Sequence, residues 1–396
     1  MRNDNELHAL EINCFGYLAP RWLLQLSLSW FYFLLGLIYA TWISRIPDTK
    51  AALNLSNGEL GLVLVCAIFG GMMGLPLVTW LINTIGSGKA VLIGGLASSF
   101  LCPMAGATFL GIWTLCFGVA GIGFGMAVLD VSSNAHAVCI EKLMKINFLG
   151  FLQAVNALGS LTGVLFGGTL ASYNISPFHN FLIVAFFGCI ISIIFSQFLV
   201  SYEYEKYLEN TSKVDKTESV KIIENYSSID SNSAKVGEIQ EETCYGFNKV
   251  LIILCFLGFI NLMGVGSVND WSTVYFQTIL NTTPFFTSMG YAFFITFQMF
   301  GQICSDWLVV SLGPKNMLVI AGILTFIGLS CVVFAPALNF TLSFWAYGPY
   351  LLGLFGFSLA GIGLSFVGPI LVSQTGKVKF IFFKVVICYN ANIIRM

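Results

Sequence analysis

An aspartate and an asparagine four residues apart stand inside a long apolar stretch, Phe117–His136. Asp130 and Asn134 share one face if the stretch is helical, because helical side chains return to the same side after four residues. Going back from Asp130, the first charged residue is Lys89. An ionisable side chain at membrane depth is costly and usually faces a bundle interior or a water-filled cavity. We interpret Asp130 as a proton or solute site; the alternative is a structural acid with a buried partner or in wet headgroups.

Neutral amides occur in several other apolar stretches and are candidates for binding a solute. Such amides bind the hydroxyls of a sugar-like molecule, or they hydrogen-bond between helices, which is commoner for any single one. The candidates are Gln153, Asn156, Asn261 and Gln298. Three glycines ahead of Asp130, at 121, 123 and 125, remove side chains and so allow a neighbouring helix to approach closely.

The composition places these residues in an all-α polytopic membrane protein. Of 396 residues, 57% are hydrophobic and 9% are charged, whereas about a quarter of a soluble domain is charged. Stretches of about 20 apolar residues, the length that crosses a bilayer, mark ten predicted spans. The stretches are Trp22–Ser44, Leu60–Gly88, Ala90–Leu129, Ile146–Tyr202, Val250–Val268, Trp271–Ser305 and Asn316–Gly376, and the third, fourth and last hold two spans each.

A polar region divides the predicted spans into two groups. Ser201–Gly246 carries ten acids and five lysines, so it cannot bury a core. We predict an N-terminal six-helix half at residues 1–200 and a disordered cytoplasmic linker at 201–246. The C-terminal half, with helices 7–10, follows at 247–375, and an atypical tail occupies 376–396.

The two groups of spans repeat one another. Ile85–Gly95 and Leu312–Gly322 both place a glycine turn and a lysine before an apolar run. A Gly-Ile-Gly sequence recurs at 121–123 and 361–363. Two related halves joined by a polar linker are typical of a transporter built from parallel repeats.

Basic residues set the predicted orientation. With the N-terminus inside, sixteen lysines and arginines fall in inner segments and two, Arg45 and Lys50, fall outside. Because cytoplasmic loops carry the excess of basic residues, both termini are predicted to be cytoplasmic, in the plasma membrane or an internal membrane. Sequons for N-glycosylation at Asn54, Asn174, Asn281 and Asn339 fall outside, and those at Asn210 and Asn225 fall inside.

Arg45 has two interpretations at the outer end of the first span. It could pair with an outer acid such as Asp270 or Glu59 and close an outer gate. The alternative is an interface residue whose charged head reaches water.

The chain has no pattern of an enzyme or of an ATP-driven pump. A P-loop, an HExxH sequence and a nucleophile elbow are all missing from the sequence. Eleven scattered cysteines without CxxC indicate neither a zinc site nor a disulfide framework. His136 and His179 have no acid at metal-ligand spacing. We expect no metal, no cofactor and no nucleic-acid partner.

Three segments resemble the major facilitator superfamily, and more narrowly its bacterial inner-membrane branch related to the fucose permeases. They are the connection Ala40–Gly61, LDVSSNA at Leu129–Ala135 and NDWSTVY at Asn269–Tyr275. The resemblance implies a fold of two six-helix halves. It also implies proton coupling through Asp130, with Asn134 as a polar ligand.

The same resemblance points to inner-loop gating residues and to a difference at the end of the chain. Lys89 is the basic residue that remains in the loop before helix 3, and Asp306 is kept after helix 8. After Thr375 the sequence no longer resembles the family, so we expect about ten spans without helices 11 and 12, as in a truncated or mis-spliced gene model. Helix 10 would then expose Gly361 and Gly363.

The leading hypothesis is a monomeric secondary transporter of a small, largely uncharged, sugar-like solute, driven by protons across the lipid bilayer. Few cations lie inside the spans, which argues against an organic anion or phosphate. The alternative is a membrane sensor or scaffold that derives from a transporter and moves no solute.

Overall fold

The computed structural model describes residues 12–14, 17–19, 21–144, 149–203, 205–206, 244–337 and 347–393. Ten long helices follow one another in this part of the chain: α1 Arg21–Ala52, α2 Asn57–Ile85, α3 Ser87–Gly106, α4 Ile112–Met144, α5 Leu149–Ser172, α6 Pro177–Ser196, α7 Cys244–Thr278, α8 Pro284–Leu312, α9 Pro314–Phe334 and α10 Gly348–Ile393. Nine of these helices are long and apolar enough to cross a membrane. The predicted all-α polytopic fold is therefore confirmed.

Short elements accompany the helices. An antiparallel hairpin of β1 Ile12–Cys14 and β2 Tyr17–Ala19 precedes α1. One-turn 3-10 helices follow α3 and α9, at Thr108–Leu110 and Ala335–Ala337. The described residues group into two compact units. The first lies within 1–233 and 282–288, and the second within 234–281 and 289–396.

Three helices are longer than the predicted spans. α1 continues eight residues past Ser44 and contains Pro47, because the polar side chains near this proline find partners inside the unit. α7 begins within the predicted linker and runs through Trp271, which was expected to lie near a loop. α10 continues to Ile393, within the predicted tail, since the lysines there oppose membrane insertion but favour a helix. Residues 207–243 of the predicted linker lie outside the described part.

Left-handed turns occur at corresponding places in the two groups of helices. Gly86 before α3 and Gly313 before α9 have φ of 89° and 79°, and Asn54 after α1 and Asn281 after α7 both have φ of 51°. Glycine adopts positive φ without a steric penalty, and asparagine tolerates it better than most residues. In both halves the asparagine precedes the glycine by 32 residues.

The same turns explain three of the predicted sequons. Asn54, Asn174 and Asn281 have positive φ just after α1, α5 and α7. Two residues after the first two of these, Ser56 and Ser176 are the N-caps of α2 and α6. Asparagine suits a helix end and serine or threonine suits a helix start. A tight helix-to-helix connection therefore produces the Asn-X-Ser/Thr pattern without any need for glycosylation.

Glycines in α4 bring its backbone against two neighbouring helices, as the sequence predicts. A Cβ added at Gly123 would overlap the Ala67 carbonyl of α2, and one at Gly125 would lie 2.5 Å from Ser98 Cα of α3. Gly121 lies against the Leu101 side chain of α3. α4, which carries Asp130, is thus fixed by contacts that no larger residue permits.

The prediction that Gly361 and Gly363 are exposed is wrong. Both are buried. A Cβ added at Gly361 would meet the Phe294 carbonyl of α8, and one at Gly363 would lie 2.7 Å from the Ala321 carbonyl of α9. Helices α8 and α9 of the same unit therefore cover this glycine surface.

We predict that Gly123→Ala destabilises the protein, because the new methyl group overlaps the α2 backbone. Such overpacking costs about 1–3 kcal/mol, more than the helix propensity gained. The matched control is Gly61→Ala in α2, where an added Cβ meets nothing within 4 Å. Thermal unfolding in detergent should show a lower Tm for Gly123→Ala and an equal or higher Tm for the control. Equal melting of both variants would contradict the close contact.

Candidate functional site

Asp130 is connected to α1 through Asn134. Asp130 and Asn134 share one face of α4, as the four-residue spacing predicts, and Asn134 Nδ2 donates to Asp130 Oδ1 at 2.9 Å. The Tyr32 hydroxyl donates to Asn134 Oδ1 at 2.7 Å. The Tyr32 side chain is fully buried. These three side chains, called the Asp130 trio, form a continuous polar chain between α4 and α1.

Apolar packing holds the tyrosine end of the trio. The Tyr32 ring belongs to a buried cluster with Leu28, Leu129 and Leu152 from α1, α4 and α5. Asp130 and Asn134 are half-buried. The trio therefore has one fixed end in the core and one end that is still partly accessible.

The other predicted solute contacts lie on three further helices. Asn156 Oδ1 of α5 would be 2.6 Å from a Cβ added at Gly36 of α1, so this amide lies at a helix contact. Gln153 on α5 and Gln298 on α8 are half-buried. Asn261 Oδ1 on α7 is buried without a hydrogen-bond partner among the described residues, which leaves an acceptor that a ligand could satisfy.

Arg45 is buried inside the N-terminal unit. It is 1% exposed, and its Nε lies 3.1 Å from Asp48 Oδ2. Its guanidinium also donates to the backbone oxygens of Gly167, at 3.4 Å, and Ile175. Arg45 thus joins α1 to α5 and to the connection between α5 and α6.

The burial of Arg45 excludes the interpretation as an interface residue whose charged head reaches water. Of the two outer acids proposed as gate partners, Glu59 caps α2 by accepting from the Ser56 backbone and hydroxyl at 2.8 and 2.9 Å. Asp270 lies half-buried on α7. The Arg45 guanidinium instead pairs with Asp48, one turn further along α1, and with two backbone carbonyls.

The structure gives the position of the two inner gating candidates, Lys89 and Asp306. Lys89 is exposed in the first turn of α3. Asp306 lies on α8, and its side chain is outside the described part of the chain. The gating roles of Arg45, Asp270, Lys89 and Asp306 stay predictions.

A second polar cluster joins the start of α3, the end of α4 and the segment after α6. His136 is fully buried, and its Nδ1 lies 2.7 Å from Ser87 Oγ and 3.1 Å from Glu205 Oε1. The Val200 N–H donates to His136 Nε2 at 3.3 Å. The Glu205 carboxylate accepts from the Ser87 N–H at 2.9 Å and also from its hydroxyl. We call these four residues the His136 cluster.

The surroundings of Glu205 favour its ionised form. Burial by itself raises the pKa of the Glu205 carboxyl, but the hydrogen bonds from His136 and Ser87 outweigh it, so the pKa lies below its usual range. Gly88 allows the approach, since a Cβ there would lie 2.7 Å from the Val200 carbonyl and 3.4 Å from His136 Cε1. The cluster therefore holds a charged carboxylate against the turn between α2 and α3.

Sequence reasoning misses Tyr32, Ser87 and Glu205. A signal for His136 was its position in the same apolar stretch as Asp130. Glu205 lies in the acid-rich run that predicts a disordered linker, yet the described residues there include helical ones. Neighbours so far apart in sequence leave no local pattern.

Comparison with known proteins identifies the family. A family model described as Major Facilitator Superfamily matches residues 21–382. The chain belongs to the major facilitator superfamily. It is therefore a multi-pass membrane protein of a transporter family. The narrower resemblance to the fucose-permease branch stays a prediction.

Relatives cover most of this major facilitator chain. An uncharacterized MFS-type transporter of Yersinia pestis is 25% identical over 358 residues, which are 89% of this chain and 80% of the relative. The membrane protein MosC of Rhizobium meliloti is 21% identical over 356 residues, which are 88% of this chain and 74% of that protein.

Solved structures share the fold. The crystal structure of a D-xylose-proton symporter gives a TM-score of 0.63 at 14% identity, covering 87% of this chain and 80% of the symporter. The nucleoside transporter NupG gives 0.61 at 12% identity, covering 89% and 82%.

We predict that Glu205→Gln lowers the stability of the transporter at neutral pH. The variant keeps the shape but loses charge-assisted hydrogen bonds that contribute about 1–2 kcal/mol. Because the folded pKa is lowered, this contribution is present above the ordinary carboxyl pKa and is lost as the pH falls through the folded value. Melting temperatures of wild type and variant, measured from neutral to acid pH, should differ at neutral pH and converge in acid.

The control for this prediction is Glu203→Gln, the same change at an exposed neighbour. It should melt like the wild type at every pH. A Glu205→Gln protein as stable as the wild type at neutral pH would show that the His136 cluster contributes no net stability.

Proposed function

We propose that the protein is a secondary active transporter that moves a small, largely uncharged, sugar-like solute by alternating access, with Asp130 carrying the coupled proton. The observation that carries the proposal is the Asp130 trio, a half-buried carboxyl inside an apolar helix with hydrogen-bond partners fixed from the core. An acid in such a position faces a bundle interior or a water-filled cavity and marks a proton or solute pathway.

The buried basic side chains support an uncharged solute. Arg45 and His136 are the basic side chains classed as buried in the described part of the chain. Arg45 is held by Asp48 and two backbone oxygens, and His136 by Ser87 and Glu205. Both side chains are thus engaged by partners within the protein, which favours a solute without a negative charge.

Amides provide the proposed solute contacts. The Asn134 amide keeps one further N–H after its bond to Asp130. Asn261 Oδ1 accepts no hydrogen bond from the residues that the structure describes. Gln153, Asn156 and Gln298 complete the candidate set. The similar structures include a D-xylose-proton symporter and a nucleoside transporter, and both solute classes carry several hydroxyls. Hydroxyl groups pair with amides as both donors and acceptors.

We predict that Asp130→Asn abolishes proton-driven accumulation but leaves solute exchange partly intact, because asparagine keeps the size and cannot take up the proton. Proteoliposomes should be tested with labelled D-xylose and uridine, first under an inward proton gradient and then in counterflow without a gradient. The control is Glu203→Gln, an exposed acid outside the spans, which should accumulate solute like the wild type. Undiminished accumulation by Asp130→Asn would make Asp130 a structural residue.

We also propose that both termini and the connection between the halves are cytosolic, on the strength of the sixteen-to-two distribution of basic residues. A cysteine placed at Val220 in a cysteine-free protein should react with an impermeant maleimide only after the membrane is permeabilised. Labelling in intact cells would contradict the proposal and place this connection outside the cytosol.

A further inference from the structure

Tyr32 contributes a buried hydroxyl to the Asp130 trio from another helix. It is 0% exposed, and its bond to Asn134 spans 102 residues of sequence. The ring is enclosed by Leu28, Leu129 and Leu152. The hydroxyl therefore has a fixed position, and it meets the amide on the side away from Asp130.

Hydrogen-bond chemistry admits one orientation of the Asn134 amide. An ionised carboxylate only accepts hydrogen bonds, so the amide must turn its NH₂ group toward Asp130. The amide oxygen then points away and needs a donor, which the Tyr32 hydroxyl supplies at 2.7 Å. The oxygen and nitrogen of an amide are assigned from such a network. In this one the Tyr32 hydroxyl donates, the Asn134 amide accepts and donates, and the Asp130 carboxylate accepts.

We propose that Tyr32 is the positioning residue of this site: its hydroxyl keeps the Asn134 amide donating to Asp130 in both protonation states of the carboxyl. The inference deepens the proposed function and rests on it for its effect on transport. When Asp130 takes up a proton on Oδ2, Oδ1 continues to accept from Asn134. The new O–H bond is then directed to water or solute, because the Asn134 oxygen faces Tyr32, and turning the amide would take this acceptor away from the buried Tyr32 hydroxyl.

Removing the tyrosine hydroxyl frees the amide oxygen. In Tyr32→Phe the amide can turn, so that its oxygen accepts the proton of neutral Asp130 and its NH₂ group no longer binds the carboxyl oxygen. The proton is then held within the site rather than offered to solute. In the turned arrangement the carboxyl C=O group of Asp130 loses the hydrogen bond from the Asn134 amide.

The test is an acid-minus-neutral infrared difference spectrum of the full chain in liposomes, without solute. The carboxyl C=O band that disappears in Asp130→Asn belongs to Asp130. In Tyr32→Phe this band should move to higher wavenumber, because a carbonyl with fewer hydrogen bonds vibrates faster. The matched control is Tyr275→Phe, which removes a hydroxyl that donates to the Val332 carbonyl at 2.7 Å. It should leave the Asp130 band in place.

A second variant keeps the inference testable if Tyr32→Phe fails to fold. Asn134→Ala should shift the band in the same direction, and the double variant should add little to either shift, because both changes break one chain of bonds. An unshifted band in the folded variants overturns the inference, and so does a spectrum in which no band depends on Asp130. Absence of solute uptake by the wild type counts against the proposed function alone, since the spectrum requires no solute.

Discussion

A polar group inside a bilayer has no water to bind, and each unsatisfied backbone or side-chain group there costs several kcal/mol. Hydroxyls along the helices meet this constraint locally, as Thr41 does by donating to the Leu37 carbonyl one turn earlier. Side chains that can form more hydrogen bonds also bind partners outside their own helix. Arg45, His136 and Asn134 all bind partners on other segments. The polar residues therefore select which segments meet.

Close approach of the backbones shortens the distance between these polar side chains and their partners. At Gly167 the missing side chain leaves room for Ser44 Oγ, and the same residue's carbonyl accepts from Arg45. Gly88 lies beside both His136 and the Val200 carbonyl in the same way. Glycine contacts and polar contacts coincide, because a side chain at these positions would separate the helices and remove the buried group's partner. A glycine substitution at such a place is thus also a loss of hydrogen bonding.

The sequence predicts the features of this protein that depend on residues close together in the chain. Apolar runs predict the helices, glycines predict the close contacts of α4, and the spacing of Asp130 and Asn134 predicts that they share one helix face. Partners on other segments could not be predicted, since Tyr32 and Glu205 lie 102 and 69 residues from theirs. The sequence also predicts the end of α1 wrongly, because the charged residues after Ser44 indicate a segment in water. The segment with Arg45 stays helical because backbone carbonyls of neighbouring segments satisfy its guanidinium.

The repeat supplies the scaffold of both halves but not their chemistry. The left-handed turns of the two halves lie 227 residues apart, and this offset pairs Tyr32 with Phe259. The Gly-Ile-Gly motifs lie 240 residues apart and pair Asp130 with Ile370, which is 1% exposed in an apolar cluster with Met317 and other residues of α8–α10. Phenylalanine and isoleucine cannot form the polar chain that tyrosine and aspartate form. The turns are therefore common to both halves because they shape the helices, whereas the Asp130 trio belongs to the first half alone.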